Sequence, residues 1–519
     1  MRSLMDDVVI VGAGPTGLMA ACELALAGVR CRIVDKRNGE AGVTRAFGLH
    51  ARALELLDAR GLGDELVARG NPLGTVHPAY ASRVDFERLD TRYPMLLIVP
   101  QSGTEEVLRE RAAELGVRIV RNAEVTGLSQ NADSVRLTLR DGAELPTRYV
   151  IGADGAHSTV RELLDVGFAG ETYSLPMLLA DVRISGPELP PITQVGPAGA
   201  VVAIPFGDGW FRVGAWLLDG DDPDREPAFG QIRRAFEDIA GTDYRMSEPR
   251  WFSRFAAERR QARSYRSGRV FLAGDAAHVN SPIGGQGMNT GVQDAVNLGW
   301  KLAADLRGWA PPWLLGTYHA ERHPVGASVL ELTDHLTRLV LTGSRLRLRV
   351  NRHVMAALLR TGPGRRRILG LMSGLEIAYP PGDAHAHPLA GRRAPDGPTT
   401  GGRLYEVLRE GRFVLLAHGD AGAARPWADR VRPVRPLGGL RPQAALIRPD
   451  GYVAWAGDHD GIRQALVKWC GPAEHTAQHT AEHRAGHTAE HRAGHATQHT
   501  AGHTTDHNDR GERPDRATP

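Results

Sequence analysis

The chain has 519 residues, a formal net charge of +3 and 42% hydrophobic residues, enough for buried cores in about three domains. So small a net charge leaves no nucleic-acid footprint, and no apolar run reaches the roughly 18 residues of a membrane span. Cys22, Cys31 and Cys470 are too few and scattered for a disulfide framework or a zinc site, which fits a reducing cytoplasm.

From the N-terminus, Asp7 to Val11 is apolar and β-branched, as suits a buried parallel strand. Its start carries Asp6 and Asp7, so no secretory leader is expected. Gly12, Gly14 and Gly17 follow at once. Gly12 permits a tight turn, Gly14 lets backbone approach a pyrophosphate, and Gly17 lets the next helix pack closely on the strand. That helix is predicted over 17–27, with Gly28 as its stop. Its N-terminus would point free N–H groups and positive dipole at phosphates. The next strand runs from Cys31 and ends at Asp35, whose carboxylate can accept both hydroxyls of an adenosine ribose. Asp35 disfavours a 2′-phosphate there, an objection that Lys36 and Arg37 soften.

Further along, Tyr149 to Arg161 reads as strand, turn and helix, with Asp154 and Ser158 as turn and cap residues. Strand-like alternation in 178–184, 200–204 and 210–216 suits a sheet roofing a cofactor. Trp210, Phe211 and Trp216 are candidate contacts to a flat substrate, although a plain hydrophobic sheet core explains them as well. A strand over 269–273 then ends at Gly274-Asp275, where a carboxylate can face a ribityl or ribose hydroxyl. The loop from Pro282 to Gly287 opens a long helix over about 289–306, with apolar residues at helical spacing from Val292 to Leu302. The N-terminus of such a helix suits the N1–C2=O edge of a flavin, which is anionic when reduced. Taken together, the two glycine stretches imply one long cofactor gripped at both ends, FAD. His278 beside Gly274-Asp275 reads as a packed or capping residue rather than a base.

With these motifs the chain resembles the class A flavoprotein aromatic monooxygenases, the group built like para-hydroxybenzoate hydroxylase. Within them it looks most like bacterial aromatic polyketide hydroxylases and rifampicin monooxygenases. The matching residues are the N-terminal fingerprint, Asp154-Gly155, Gly274-Asp275, the stretch from Arg45 to Glu55, and Pro100-Gln101 through Arg109. The resemblance covers about 5–471. One departure is Asp35, where the family usually has Glu.

The resemblance implies a cofactor site of Gly12, Gly14, Thr16, Gly17, Asp35, Lys36, Arg45, Gln101, Val125, Asp154, Ser158, Asp275, Gly287, Met288 and Asn289. Arg45 and Pro282 are the residues expected nearest the flavin. It also implies NAD(P)H as a transient co-substrate, O2, and transfer of oxygen from a flavin C4a-hydroperoxide to a phenolic or polycyclic aromatic ring. No residue can be named as catalytic acid or base. Baeyer–Villiger oxygenation and antibiotic inactivation on the same scaffold remain open. So do a flavin reductase or oxidase without oxygen transfer and a non-catalytic binder.

The expected fold is α/β. A Rossmann-like FAD-binding domain spans 1–75, 101–175 and 266–320, and a substrate-binding β-sheet domain spans 76–100 and 176–265. Residues 321–388 form an Arg-rich helical connector, where Arg365 to Arg367 reads as a solvated face. Residues 389–472 resemble a thioredoxin-like domain without a Cys-x-x-Cys pair, which excludes dithiol chemistry. In 473–519 His recurs at every fourth position from His475 to His507 with almost no apolar bulk, so a disordered tail without a functional metal site is expected. No nucleic-acid or membrane partner is expected, and the chain reads as a monomer or homodimer.

Overall fold

The computed structural model describes residues 5–39, 46–78, 81, 83–185, 191–218, 229–341, 345–383, 385–419, 421–439 and 442–473. Arg45 and the His-rich tail lie outside the described residues. Residues 1–471 form one compact unit.

Strand β1 (Val8–Val11) leads into helix α1 (Pro15–Leu26) and strand β2 (Cys31–Val34). Helices α2 (Ala51–Asp58) and α3 (Gln101–Glu114) follow, then β3 (Arg118–Val120) and β4 (Tyr149–Gly152). Next come β5 (Phe168–Ile184), β6 (Ile192–Gly196), β7 (Gly199–Pro205), β8 (Trp210–Leu217), α4 (Phe229–Ala240) and β9 (Met246–Ala262). The short strands β10 (Arg266–Ser267), β11 (Val270–Leu272) and β12 (His278–Val279) precede helix α5 (Gly287–Leu306). Helices α6 (Thr317–Leu341), α7 (Arg345–Arg360) and α8 (Gly362–Ser373) form the connector. A final layer holds β13 (Phe413–Ala417), β14 (Val431–Val434), β15 (Ala444–Ile447), β16 (Val453–Gly457) and α9 (Ile462–Cys470).

The first sheet has the order β10-β11-β4-β1-β2-β3 and is parallel except for β10. Its central strands are buried along their length, which is why they read as continuous apolar runs. Helices α1 and α5 pack on it through Leu18, Ala21, Leu24, Val292 and Val296. They approach closely because Gly299 faces Glu23, where a Cβ would come within 2.4 Å of Glu23 Cβ.

The second sheet has the order β6-β7-β8-β5-β9-β12 and is antiparallel. Side chains alternate between its faces. Phe211, Val213 and Ala215 meet Ile232 and Phe236 of α4 on one face. Met177, Leu179 and Trp216 meet Leu336, Val340 and Leu369 of the connector helices on the other. The sheet crosses two expected domain limits: β5 begins at Phe168, and His278–Val279 pairs with β9 rather than with the first sheet. Strand β9 was not expected, because its arginines and glutamates interrupt the apolar alternation. Pairing with β5 holds it in the sheet regardless.

The last sheet runs β14-β13-β15-β16, with β13 and β14 parallel and the other pairs antiparallel. It docks on the first domain through buried ions. Arg448 donates to Glu321 at 2.8 and 2.9 Å, and Lys301 donates to the same carboxylate at 2.8 Å. Arg60 pairs with Glu23 and donates to the carbonyls of Leu408 and Pro449. Arg52, wholly buried, donates to Glu55, to the Tyr405 hydroxyl and to the Asp450 carbonyl. Burial pushes the Glu321 carboxyl up, but Arg448 and Lys301 outweigh it and hold the group far below the usual range. Lys301 shares that one anion with Arg448, and burial brings its ammonium down to about 8. Among the described residues, no helix is long and apolar enough to cross a membrane.

Candidate active site

Strand β1 runs into Gly12, whose φ of +105° is open to glycine alone. A Cβ there would lie 2.3 Å from the Ala153 carbonyl oxygen. Gly17 sits one turn into α1, where a Cβ would lie 2.0 Å from the Gly12 carbonyl oxygen. Both therefore act through close packing, bringing β1, β4 and α1 together. Gly14 is different: it caps α1 in an extended conformation, and a Cβ would meet no atom within 4 Å. Pro15 at the first helical position spares an N–H that would have no intrahelical partner.

These elements open onto a cleft of about 490 Å³. Its walls include Gly12, Gly14, Thr16, Asp35, Lys36, Gln101, Val125, Asp154, Asp275, Pro282, Gly287 and Met288. The two glycine stretches thus face one space. Thr16 joins them physically, since its hydroxyl oxygen fills the places that a Cβ of Gly274 or Gly291 would need, at 2.5 and 2.2 Å.

At one end, Asp35 accepts from the Ala13 N–H at 2.7 Å and from Arg37, both backbone and guanidinium, at 2.8 to 3.1 Å. Burial raises its carboxyl, but these donors prevail and hold it below the usual range. Gln101, the first residue of α3, donates to Glu105 and accepts from the Ala46 N–H. Asp154 accepts from the Ser158 hydroxyl at 2.5 Å and from the Val160 N–H at 3.1 Å. Burial pushes Asp154 up even so.

At the other end, Gly284 and Gly285 take φ of +90° and +64°, turning the chain into the N-terminus of α5. His50 holds this turn, its Nε2 lying 2.8 Å from the Gly284 carbonyl. Burial lowers the His50 pKa, so the ring is neutral and Nε2 is the donor. Asp294 of α5 fixes the turn at Gly274. It accepts from the Gly274 N–H at 3.1 Å, from Arg322 at 2.6 Å, and pairs with His278 at 2.7 Å. His278 is packed, as expected.

Several expected ligands stand elsewhere. Ser158 is wholly buried and caps the short helix Thr159–Leu163, accepting from the Arg161 N–H at 3.0 Å. Its hydroxyl donates to Asp154 and accepts at that cap, and Ser158 is not among the residues that line the cleft. Asn289 staples α5 to the start of α2, donating to the Gly48 and Gly285 carbonyls and accepting from the His50 N–H. Trp210, Phe211 and Trp216 are absent from the cleft wall. Trp210 lies under Arg250, 3.6 Å from its ring centre, and Phe211 is turned by the strand pleat into the core beneath α4. Trp216 belongs to the apolar cluster on the opposite face.

Sequence reasoning missed Phe47, Glu105, Phe255, Glu258, Asn280 and Gln286 in the wall, and His50 and Asp294 behind it. Only Asp294 left a signal, a carboxylate on the otherwise apolar face of the predicted helix.

The walls fit FAD. The backbone at Gly14 and Gly155 lies beside open space, since a Cβ on either would meet nothing within 4 Å. Arg121 adds a buried Nη1 without a hydrogen-bond partner, 3.8 Å from Asp35. Such a donor beside a carboxylate suits a ribose or phosphate oxygen.

Residues 5–333 match the family model of the FAD binding domain, and residues 387–473 match the aromatic-ring hydroxylase C-terminal domain. The chain belongs to the FAD-dependent aromatic-ring monooxygenases. It is 42% identical over 479 residues to a rifampicin monooxygenase of Streptomyces venezuelae, covering 90% of this chain and 99% of that one. It is similar to the solved structure of OxyS anhydrotetracycline hydroxylase from Streptomyces rimosus, with TM-score 0.81 and 40% identity over 90% of this chain and 100% of that one. A dialkyldecalin synthase of Streptomyces rugosporus is 37% identical, covering 91% of this chain and 100% of its own length. The monooxygenase therefore carries FAD, and Gly12, Gly14, Asp35 and the α5 N-terminus are cleft groups that could hold it.

Proposed function

We propose that this monooxygenase hydroxylates a polycyclic phenolic substrate of the polyketide or aromatic antibiotic type, consuming NAD(P)H and O2. The observation that carries this reading is the continuity of the cleft with an apolar cluster. Phe255 lines the cleft beside Pro282, Gly287 and Met288 and also packs against the cluster of Phe86, Met177, Leu179 and Trp216. A flat, water-averse ring system would lie against the Phe255 edge of that cluster and meet the cofactor at the Pro282 to Met288 turn. The rifampicin and anhydrotetracycline enzymes among its relatives act, by name, on molecules of this kind.

When bound, FAD supplies the redox chemistry, taking reducing equivalents from NAD(P)H and activating O2. The chain's own part is positional and electrostatic. The α5 N-terminus offers unpaired N–H groups and positive dipole to charge that develops at the Gly287 turn. The α1 N-terminus does the same for phosphates at Gly14. His50 keeps the Gly284 turn in place as a neutral donor. The apolar cluster excludes water from the side where oxygen would be transferred.

The test is oxidation of NADH and NADPH by the purified protein across a panel of polycyclic phenols, with ¹⁸O₂ labelling and NMR of the product. A ring hydroxyl carrying one labelled oxygen supports the proposal. An oxygen inserted beside a ketone would replace it with Baeyer–Villiger chemistry. The dialkyldecalin synthase favours one further control, anaerobic incubation without reductant. A product formed under those conditions would show that the scaffold serves a rearrangement or cyclisation here.

A further inference from the structure

Helix α7 carries an apolar row on its outer side. Leu346 is 70% exposed, Val350 54%, Val354 51% and Leu358 44%, and Leu371 of neighbouring α8 is 46% exposed. The four α7 positions are successive i, i+4 neighbours, so they form one continuous stripe. The other side of the same helix is already used: Leu348 is buried, and Met355 and Leu359 pack against the cluster that holds Phe86 and Trp216. The outer stripe is therefore surplus to folding. Its surroundings are strongly basic. Between 345 and 375 the sequence has arginine at eight positions and no aspartate or glutamate. Arg349, Arg360, Arg366 and Arg367 are exposed.

We propose that α7 and α8 dock this enzyme, in the plane of the interface, on an anionic lipid surface. A row of leucine and valine flanked by arginine is the pattern of an interfacial amphipathic helix, in which aliphatic side chains enter the acyl boundary and cations meet lipid phosphates. The lack of a run of roughly 18 apolar residues excludes a spanning segment, not this mode. A second copy of the chain is disfavoured, because a two-fold contact would set the same arginines against each other. An acidic protein is disfavoured by the content of the row, which is wholly aliphatic and without an aromatic anchor. Docking here would place the apolar cluster one helix thickness from the lipid, where water-averse molecules concentrate. The inference rests on the surface of α7 and α8 and not on the reaction proposed above.

The experiment is co-sedimentation of the full-length, FAD-loaded protein with vesicles. One set contains phosphatidylglycerol and phosphatidylcholine in equal parts, the other phosphatidylcholine alone. At pH 8, where the tail histidines are neutral, the protein should pellet with the anionic vesicles and stay in solution with the neutral ones. Raised salt should weaken the binding. Val350→Asp and, separately, R366Q/R367Q should each weaken it about tenfold or more, with flavin content unchanged. Wild-type protein that ignores anionic vesicles overturns the proposal, as does vesicle binding that survives both variants. A dimer in solution that Val350→Asp dissolves, or an acidic protein held by α7 without vesicle binding, would assign the stripe to another occupant and equally overturn it.

Discussion

The cofactor cleft and the seam beneath the C-terminal layer are built in opposite ways. The cleft is made by leaving atoms out: Gly12 and Gly17 bring backbones together, while Gly14 and Gly155 keep space open beside them. The seam is made by putting charge in, with Glu321, Lys301, Arg448, Asp450, Arg52 and Arg60 all buried and cross-bonded. Backbone geometry fails all at once when a single methyl is added. A buried ion cluster fails by degrees, according to which charge is left unpaired. The cleft should thus be fragile for ligand and the seam fragile for fold.

The largest effect is expected at Gly12. Gly12→Val should give a colourless protein without flavin absorbance, because the side chain would strike the Ala153 carbonyl at a φ closed to β-branched residues. Retained flavin in that variant would break the contrast. Next, Glu321→Gln should take from Lys301 its hydrogen-bonded anion and cost about 3–5 kcal/mol in denaturant unfolding. The pH dependence has a definite sign. The Glu321 carboxyl titrates lower in the folded chain than its ordinary value of 4.5, so its contribution is full above that pH. It fades as pH falls through the folded value, and E321Q should lack that part of the acid slope.

A smaller change is expected from Asp35→Ala, which removes the acceptor for Ala13 and Arg37 at the rim. Loss of a charge-assisted bond of about 1.5–3 kcal/mol predicts flavin binding weakened roughly tenfold to a hundredfold, read by fluorescence titration. Smallest is Ser158→Ala. As a cap it should cost about 1 kcal/mol of stability and leave flavin affinity alone. A marked loss of affinity would return Ser158 to the ligand set.

What was legible in the sequence follows the same divide. Backbone-driven features announce themselves, because glycine, proline and a terminal acid at fixed offsets have few other uses. Gly12, Gly14, Thr16 and Asp35 of the first stretch and Asp275, Pro282, Gly287 and Met288 of the second therefore share one cleft wall, about 260 residues apart in order but adjacent in the fold. Side-chain features did not announce themselves. Ser158 and Asn289 are polar residues beside a motif, and only the fold shows that their hydrogen-bonding capacity is spent on a cap and a staple. Arg448 and Glu321 pair across more than a hundred residues, with no local pattern to signal it. Strand β9 was hidden because charged residues interrupt the alternation that strand reading depends on.

The position of Thr16 has one more consequence. Its side chain occupies the volume vacated by Gly274 and Gly291, so the N-terminal fingerprint is complete only with two glycines from the far end of the domain. Anyone grafting the first thirty-five residues onto another scaffold, or recombining this gene with a relative's between them, must keep all three positions from one parent. A crossover that pairs Thr16 with a larger residue at either glycine would yield two well-formed halves that cannot close.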